Sequence, residues 1–176
     1  MTGTKTMKGL KAMSYQEKRA IVNIVTGVLV MASYCIYALN RFHLDQADLG
    51  DMKTWAVMML TFIGIGVVVM IVMQIVFHIA MSIAVAIRQR SLSDKEIEKA
   101  VEAAVVEDEM DRLIELKAMK VGFAVAGAGF VGALVAVALS CPGAVMLNIL
   151  FLSFGLGSLA EGALSIYYYR AGVKNG

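Results

Sequence analysis

The sequence predicts an all-α membrane protein of four transmembrane helices, with a cytoplasmic amphipathic helical elbow between the second and third. Three observations predict it. Hydrophobic residues make up 59% of the 176-residue chain, charged residues 17%, and the mean hydropathy is +0.73, outside the range of soluble domains. The apolar residues gather in three runs, Ile21 to Leu39, Thr54 to Ile87 and Val121 to Tyr169, and the only charge inside them is Glu161. None of the runs alternates apolar with polar residues, which excludes a β-barrel.

A bilayer core of about 30 Å needs about 20 helical residues, so the third run holds two spans. They divide at Cys141-Pro142-Gly143, where proline lacks a donor and glycine permits a tight reversal.

Residues 1–13 form a basic cytoplasmic lead in which Met7, Leu10 and Met13 are spaced to touch lipid while Lys5, Lys8 and Lys11 meet anionic head groups. A plain solvated tail fits the same residues. Ser14 and Glu17 fit a capping box that opens the first helix, 14–40. No A-x-A-like cleavage site follows its apolar run, so this helix is expected to be retained as a span.

The outer loop, 41–53, carries Asp45, Asp48 and Asp51. In a helical loop three such carboxylates would approach one cation, but the spacing departs from that of an EF-hand, and a solvated loop without a metal is expected. The second helix, 54–90, contains 34 uncharged residues from Thr54 to Ile87, about 51 Å of helix. It should leave the membrane between Gln74 and His78 and continue into the cytoplasm.

The elbow, 91–118, begins with a second capping box at Ser93 and Glu96. Ile97, Ala100, Val101, Ala104 and Val105 then recur at helical spacing, and Met110, Leu113 and Ile114 fall out of phase, which predicts a bend near Glu107 to Glu109. Nine acidic residues between Ser91 and Leu116 face only Lys95, Lys99 and Arg112. Anionic lipid repels so acidic a face, so the elbow should stand off the bilayer or pair with the basic lead, a second subunit or a partner protein. Asp108, Glu109, Asp111 and Arg112 are its candidate partner-binding residues.

In the third helix, 119–140, Ala124, Ala128, Gly132, Ala136 and Ser140 follow at intervals of four. Small residues let helix backbones approach closely in lipid, here against the fourth helix or a second subunit. The fourth helix spans 144–170 and a cytoplasmic tail, 171–176, follows. Cys35 and Cys141 both fall near the outer ends of their helices, as a disulfide or as two small apolar residues.

Orientation follows from the loops. Of the 16 basic residues only Arg41 and Lys53 fall on the outer side, which predicts cytoplasmic termini and a bacterial inner-membrane location. The basic residues sit at helix ends as topology anchors, an arrangement that argues against nucleic-acid binding.

Glu161 demands an explanation, because an ionised carboxylate at membrane depth costs several kcal/mol, roughly, unless it is paired or hydrated. By depth its neighbours are Asn23, Gln74 and His78, and Gln74 and His78 lie four apart on one helical face. One reading is a protonatable site of Glu161 and His78 supported by Asn23 and Gln74, as a channel or proton-coupled transporter would use. The other is a structural brace, or an ion pair of Glu161 with Lys117, Lys120 or Arg170 reaching in from the interface. Tyr34, Tyr37 and Tyr167 to Tyr169 match interfacial aromatic belts, and Asn148 is placed to cap or cross-link a neighbour. No catalytic triad, zinc spacing, phosphate loop or dinucleotide fingerprint occurs, so neither enzymatic activity nor a cofactor is expected.

Glu17-Lys18-Arg19-Ala20, Asp108-Glu109-Met110-Asp111, Asn148-Ile149-Leu150 and Tyr169-Arg170-Ala171-Gly172 resemble a group of small bacterial four-helix membrane proteins of unassigned function. Those proteins carry an E-K-R-A start, a D-E-R-D motif before the third span and a Y-R-R-G end. This chain has Met110 and Ala171 where the pattern has arginine, and its basic lead is extra, which makes Met13 an alternative start. The resemblance implies a sensing or regulatory role and supplies no catalytic residues. The functional expectation is therefore a non-enzymatic membrane sensor or interaction protein, a homo-oligomer acting through the elbow on a cytoplasmic partner. A small transporter or channel subunit using Glu161 and His78 is the alternative.

Overall fold

The structure is a computed structural model and describes residues 14–43, 48–88 and 109–172. The described residues form four helices: α1 (Tyr15–His43), α2 (Met52–Arg88), α3 (Glu109–Ala138) and α4 (Gly143–Ala171). All four are long and apolar enough to cross a membrane. The outward surface is apolar to match, with Leu60, Ile87 and Phe123 each about two-thirds exposed or more on the isolated chain, as a lipid-facing surface requires.

The first helix starts where the capping box expects. Ser14 Oγ accepts the Glu17 amide at 3.1 Å, closing one half of the motif. The other half is replaced. The Glu17 carboxylate, buried at the helix start, accepts a hydrogen bond from Arg170 Nε at 2.7 Å instead of reaching back to Ser14. A charged donor is the stronger partner for a carboxylate, and the pair ties the start of α1 to the end of α4.

Asp51 caps α2: its carboxylate accepts the Thr54 amide at 3.2 Å and the Thr54 hydroxyl. Asp48 closes the preceding turn by accepting the Gly50 amide at 2.9 Å, and its carbonyl accepts Trp55 Nε1 at 3.1 Å. Two of the three loop aspartates therefore order a turn and a cap, while Asp45 lies outside the described residues. Helix α2 then runs for 37 residues, about 55 Å, well beyond the thickness of a bilayer core.

Residues 91–108 of the expected elbow lie outside the described residues. From Glu109 onward the expected elbow is part of α3, one unbroken helix that runs into the candidate third span. It ends at Ala138; Ser140 adopts a left-handed conformation (φ 59°), and the Cys141 amide bonds back to the Ala136 carbonyl at 3.0 Å. Pro142 then leads into α4. Cys35 and Cys141 are both free thiols.

Helices α3 and α4 make the most extensive contact, α1 packs on α4 and then on α2, and α2 meets α4 only lightly. The α3 side of the main seam is Ile114, Ala118, Gly122, Ala126, Ala133 and Ala136. Gly122 and Gly157 bring the two backbones together: a Cβ on Gly157 would lie 2.6 Å from the Gly122 carbonyl oxygen. Gly129 is packed more tightly still, against the Ser153 side chain. The interval-of-four set is divided instead: Ala136 is buried, Gly132 half-buried, Ala124 and Ala128 exposed, and Ser140 exposed beyond the end of α3. The reason is geometric, because at 3.6 residues per turn each step of four drifts about 40° around the helix, whereas alternating steps of three and four hold one face.

At the end of the bundle remote from Tyr15, an aromatic core forms around Tyr34, Trp55, Met58, Met59 and Ala144. Tyr34, expected in an interfacial belt, is only 1% exposed. Its hydroxyl donates to Asn148 Oδ1 at 2.6 Å and its ring stacks obliquely on Phe151 at 4.3 Å. The interaction with Asn148 satisfies a polar tip that burial would otherwise leave costly. Tyr37 remains exposed and accepts Arg41 Nε at 3.2 Å.

Candidate functional site

A polar cleft of about 170 Å³ opens between α1, α3 and α4 at the end of the bundle that carries Tyr15. Helix α1 contributes Gln16, Arg19 and Asn23, which recur at steps of three and four and therefore share a face. Asp111, Ile114 and Glu115 come from α3, and Ser158, Glu161, Ser165 and Tyr169 form the α4 wall by the same spacing. Among the described residues the charged side chains of the cleft are three carboxylates, Asp111, Glu115 and Glu161, with one guanidinium, Arg19.

Glu161 is half-buried and leans on the α3 backbone, where a Cβ on Gly122 would lie 3.1 Å from its Oε2. Its carboxylate forms no hydrogen bond or ion pair among the described residues. Asn23 Oδ1 is also buried without a hydrogen-bond partner among them. Two acceptors therefore border one cleft without a donor among the described residues, and for the buried Asn23 Oδ1 this is a condition that polar atoms rarely keep.

Beside the cleft lies an apolar cavity of about 770 Å³ bounded by α1, α2 and α4. Its polar lining comes from Thr26, Gln74 and Ser158. Thr26 is 2% exposed, and its hydroxyl has no partner among the described residues. Ser158 borders both spaces, and the walls pass from one to the other within a helical turn, from Asn23 to Thr26 on α1 and from Glu161 to Ser158 on α4.

Of the four polar residues expected together, Asn23 and Glu161 share the cleft and Gln74 borders the neighbouring cavity. His78 borders neither; its Nε2 is 3.0 Å from the Tyr15 hydroxyl. Depth alone placed these side chains at similar heights, but the light contact between α2 and α4 turns His78 to α1 while Glu161 faces α3. The basic residues considered as partners for Glu161 are elsewhere too: Arg170 holds Glu17, and neither Lys117 nor Lys120 borders the cleft.

Asp108 lies outside the described residues. Glu109 and Arg112 are exposed at the start of α3, while Asp111 faces the cleft. Arg19 and Glu115 are cleft residues that the sequence does not mark as part of a site, and Tyr169, expected in an interfacial belt, borders the cleft as well. The position of Arg19 four residues before Asn23 was an available signal; Glu115 was hidden because its segment read as an elbow apart from the third span.

Among the described residues no set of three or more His, Cys, Asp and Glu side chains is arranged to hold a metal ion. The fold and cleft define a class, a multi-pass membrane protein by its four candidate spans, with a polar cleft at one end. No family model matches the chain, and no curated protein or solved structure does either.

Proposed function

We propose that this protein is a non-enzymatic membrane sensor or interaction protein in which the cleft at Glu161 is read out through α3 by the segment before it. One observation carries the reading: α3 is unbroken from Glu109 to Ala138, and Asp111 and Glu115 near its start are walls of the cleft that contains Glu161. A change in cleft occupancy or charge acts on α3, whose first residues belong to the acidic connection, 91–118. In this reading the connection is a cytoplasmic elbow facing a protein partner, both termini are cytoplasmic, and the chain sits in a bacterial inner membrane. Assembly as a homo-oligomer belongs to the same proposal, since Ala124 and Ala128 are exposed on α3 for close packing with a second copy.

The placement of His78 against Tyr15 favours sensing over a Glu161–His78 proton relay, which needs the two groups within reach of each other. Protein reconstituted in liposomes separates the two. Sensing predicts that Glu161→Gln alters hydrogen exchange across 91–118 and that neither variant conducts protons. Proton flux abolished by Glu161→Gln would assign the cleft to transport.

A further inference from the structure

We propose that the cleft and the cavity together bind an amphipathic ammonium, with an N–H-bearing cationic head at Glu161 and Asn23 and an apolar chain in the space lined by Thr26, Met70 and Phe154. The inference rests on the sensor reading above and names the ligand class of that site.

Charge comes first. Among the described residues three carboxylates against Arg19 give the cleft an acidic excess, which favours a cation over an anion or a neutral head. The type of cation follows from the unfilled acceptors. Among the described residues the Glu161 carboxylate has no donor and Asn23 Oδ1 is buried without one, and a primary ammonium brings three N–H donors in a compact head, whereas a quaternary ammonium brings none. A bare metal ion is the poorer match, because the described residues hold no three-ligand set for one.

The chain follows from continuity. Ser158 borders both spaces, and the cavity beyond it, about 770 Å³, is almost wholly apolar, large enough for an alkyl chain and reached within one helical turn of the head site. The same ammonium chemistry has two sources, a free alkylamine or the ethanolamine head of a membrane lipid.

Binding of radiolabelled dodecylammonium to the full chain in phosphatidylcholine nanodiscs tests the assignment, since that lipid's own head group carries no N–H. Saturable binding is expected, about tenfold weaker in Glu161→Gln and about tenfold weaker for dodecyltrimethylammonium, in line with the loss of charge-assisted hydrogen bonds. Ser158→Leu, which fills the junction between the spaces, should weaken dodecylammonium and spare butylammonium, and it keeps the test alive should Glu161→Gln fail to fold. Phosphatidylethanolamine added to the nanodiscs competes if the lipid head is the source and leaves binding unchanged if a free amine is. Absence of saturable binding, or equal binding of the trimethyl compound, overturns the assignment.

Hydrogen exchange across 91–118 keeps the two proposals apart. Ammonium binding without any change in that segment upholds the ligand class and defeats the sensor reading. A segment that responds to Glu161→Gln in a protein that binds no ammonium does the reverse.

Discussion

Arg170 places its Nε 2.7 Å from Oε1 of Glu17, joining the last turn of α4 to the first turn of α1 and taking the nearest basic residue on α4 away from Glu161. The consequences for the cleft are direct. Glu161 keeps its acceptors open, and the end of the bundle is closed by a different carboxylate. Arg170→Ala should destabilise the fold by roughly 1–3 kcal/mol, because it leaves the nearly buried Glu17 carboxylate without its charged donor. Glu17→Gln with Arg170→Ala should cost less than the two separate losses combined. A double-mutant cycle on unfolding in mixed micelles measures the coupling.

The hydrogen bond from Tyr34 to Asn148 pins α1 to α4 inside the aromatic core. Tyr34→Phe should cost about 1–2 kcal/mol, since Asn148 Oδ1 is then left without its donor. Tyr34→Ala should cost about 3–5 kcal/mol through the cavity it opens. Reversible unfolding in micelles, with Trp55 fluorescence as the signal, gives both values.

Glycines of α3 fall into two classes that one set of substitutions separates. At Gly129 a methyl group would collide with Ser153, whereas at Gly127 nothing lies within 4 Å. Gly129→Ala should therefore loosen the α3–α4 seam, while Gly127→Ala should be neutral or stabilise by up to roughly 1 kcal/mol from helix propensity. Equal effects at the two positions would contradict the seam described here. Midpoints of thermal aggregation in detergent provide the comparison.

Asp51 gives a pH dependence with a definite sign. Its hydrogen bonds from the Thr54 hydroxyl and amide favour the carboxylate and hold its pKa below the usual aspartate range. A folded-state pKa below the unfolded one means that the cap stabilises fully above the unfolded value, near 4 for a free aspartate, roughly, and that this is lost as pH falls through the folded one. Asn at this position still caps but does not titrate. The advantage of the native chain over Asp51→Asn should thus be constant near neutrality and disappear in acid, as thermal melts across pH would record.

The helices were legible in the sequence because apolar length and capping residues act locally. The expected first helix, 14–40, and the observed Tyr15–His43 differ by about one turn at the far end, where Arg41, Phe42 and His43 continue the helix beyond the apolar run. The join between elbow and third span was less legible. Polarity changes near Lys120, yet the backbone stays helical across that change, from Glu109 to Ala138. For the site, composition gave the depth of each polar side chain but not its direction around the helix. Asn23 and Glu161 meet on a shared cleft because α1 and α4 pack closely; His78 does not, because α2 touches α4 only lightly. Tyr34 was misplaced for the same reason, since its position near a helix end says nothing about which neighbour covers it.

Coupling between the cleft and the start of α3 is open to one distance measurement. Nitroxides at Met110 on α3 and Tyr167 on α4, both exposed and within two residues of the cleft residues Asp111 and Tyr169, are placed in a background lacking the two cysteines. With native Glu161, dodecylammonium should shift the spin–spin distance distribution, and Glu161→Gln should abolish the shift. An unchanged distribution with the ammonium demonstrably bound would contradict transmission through α3.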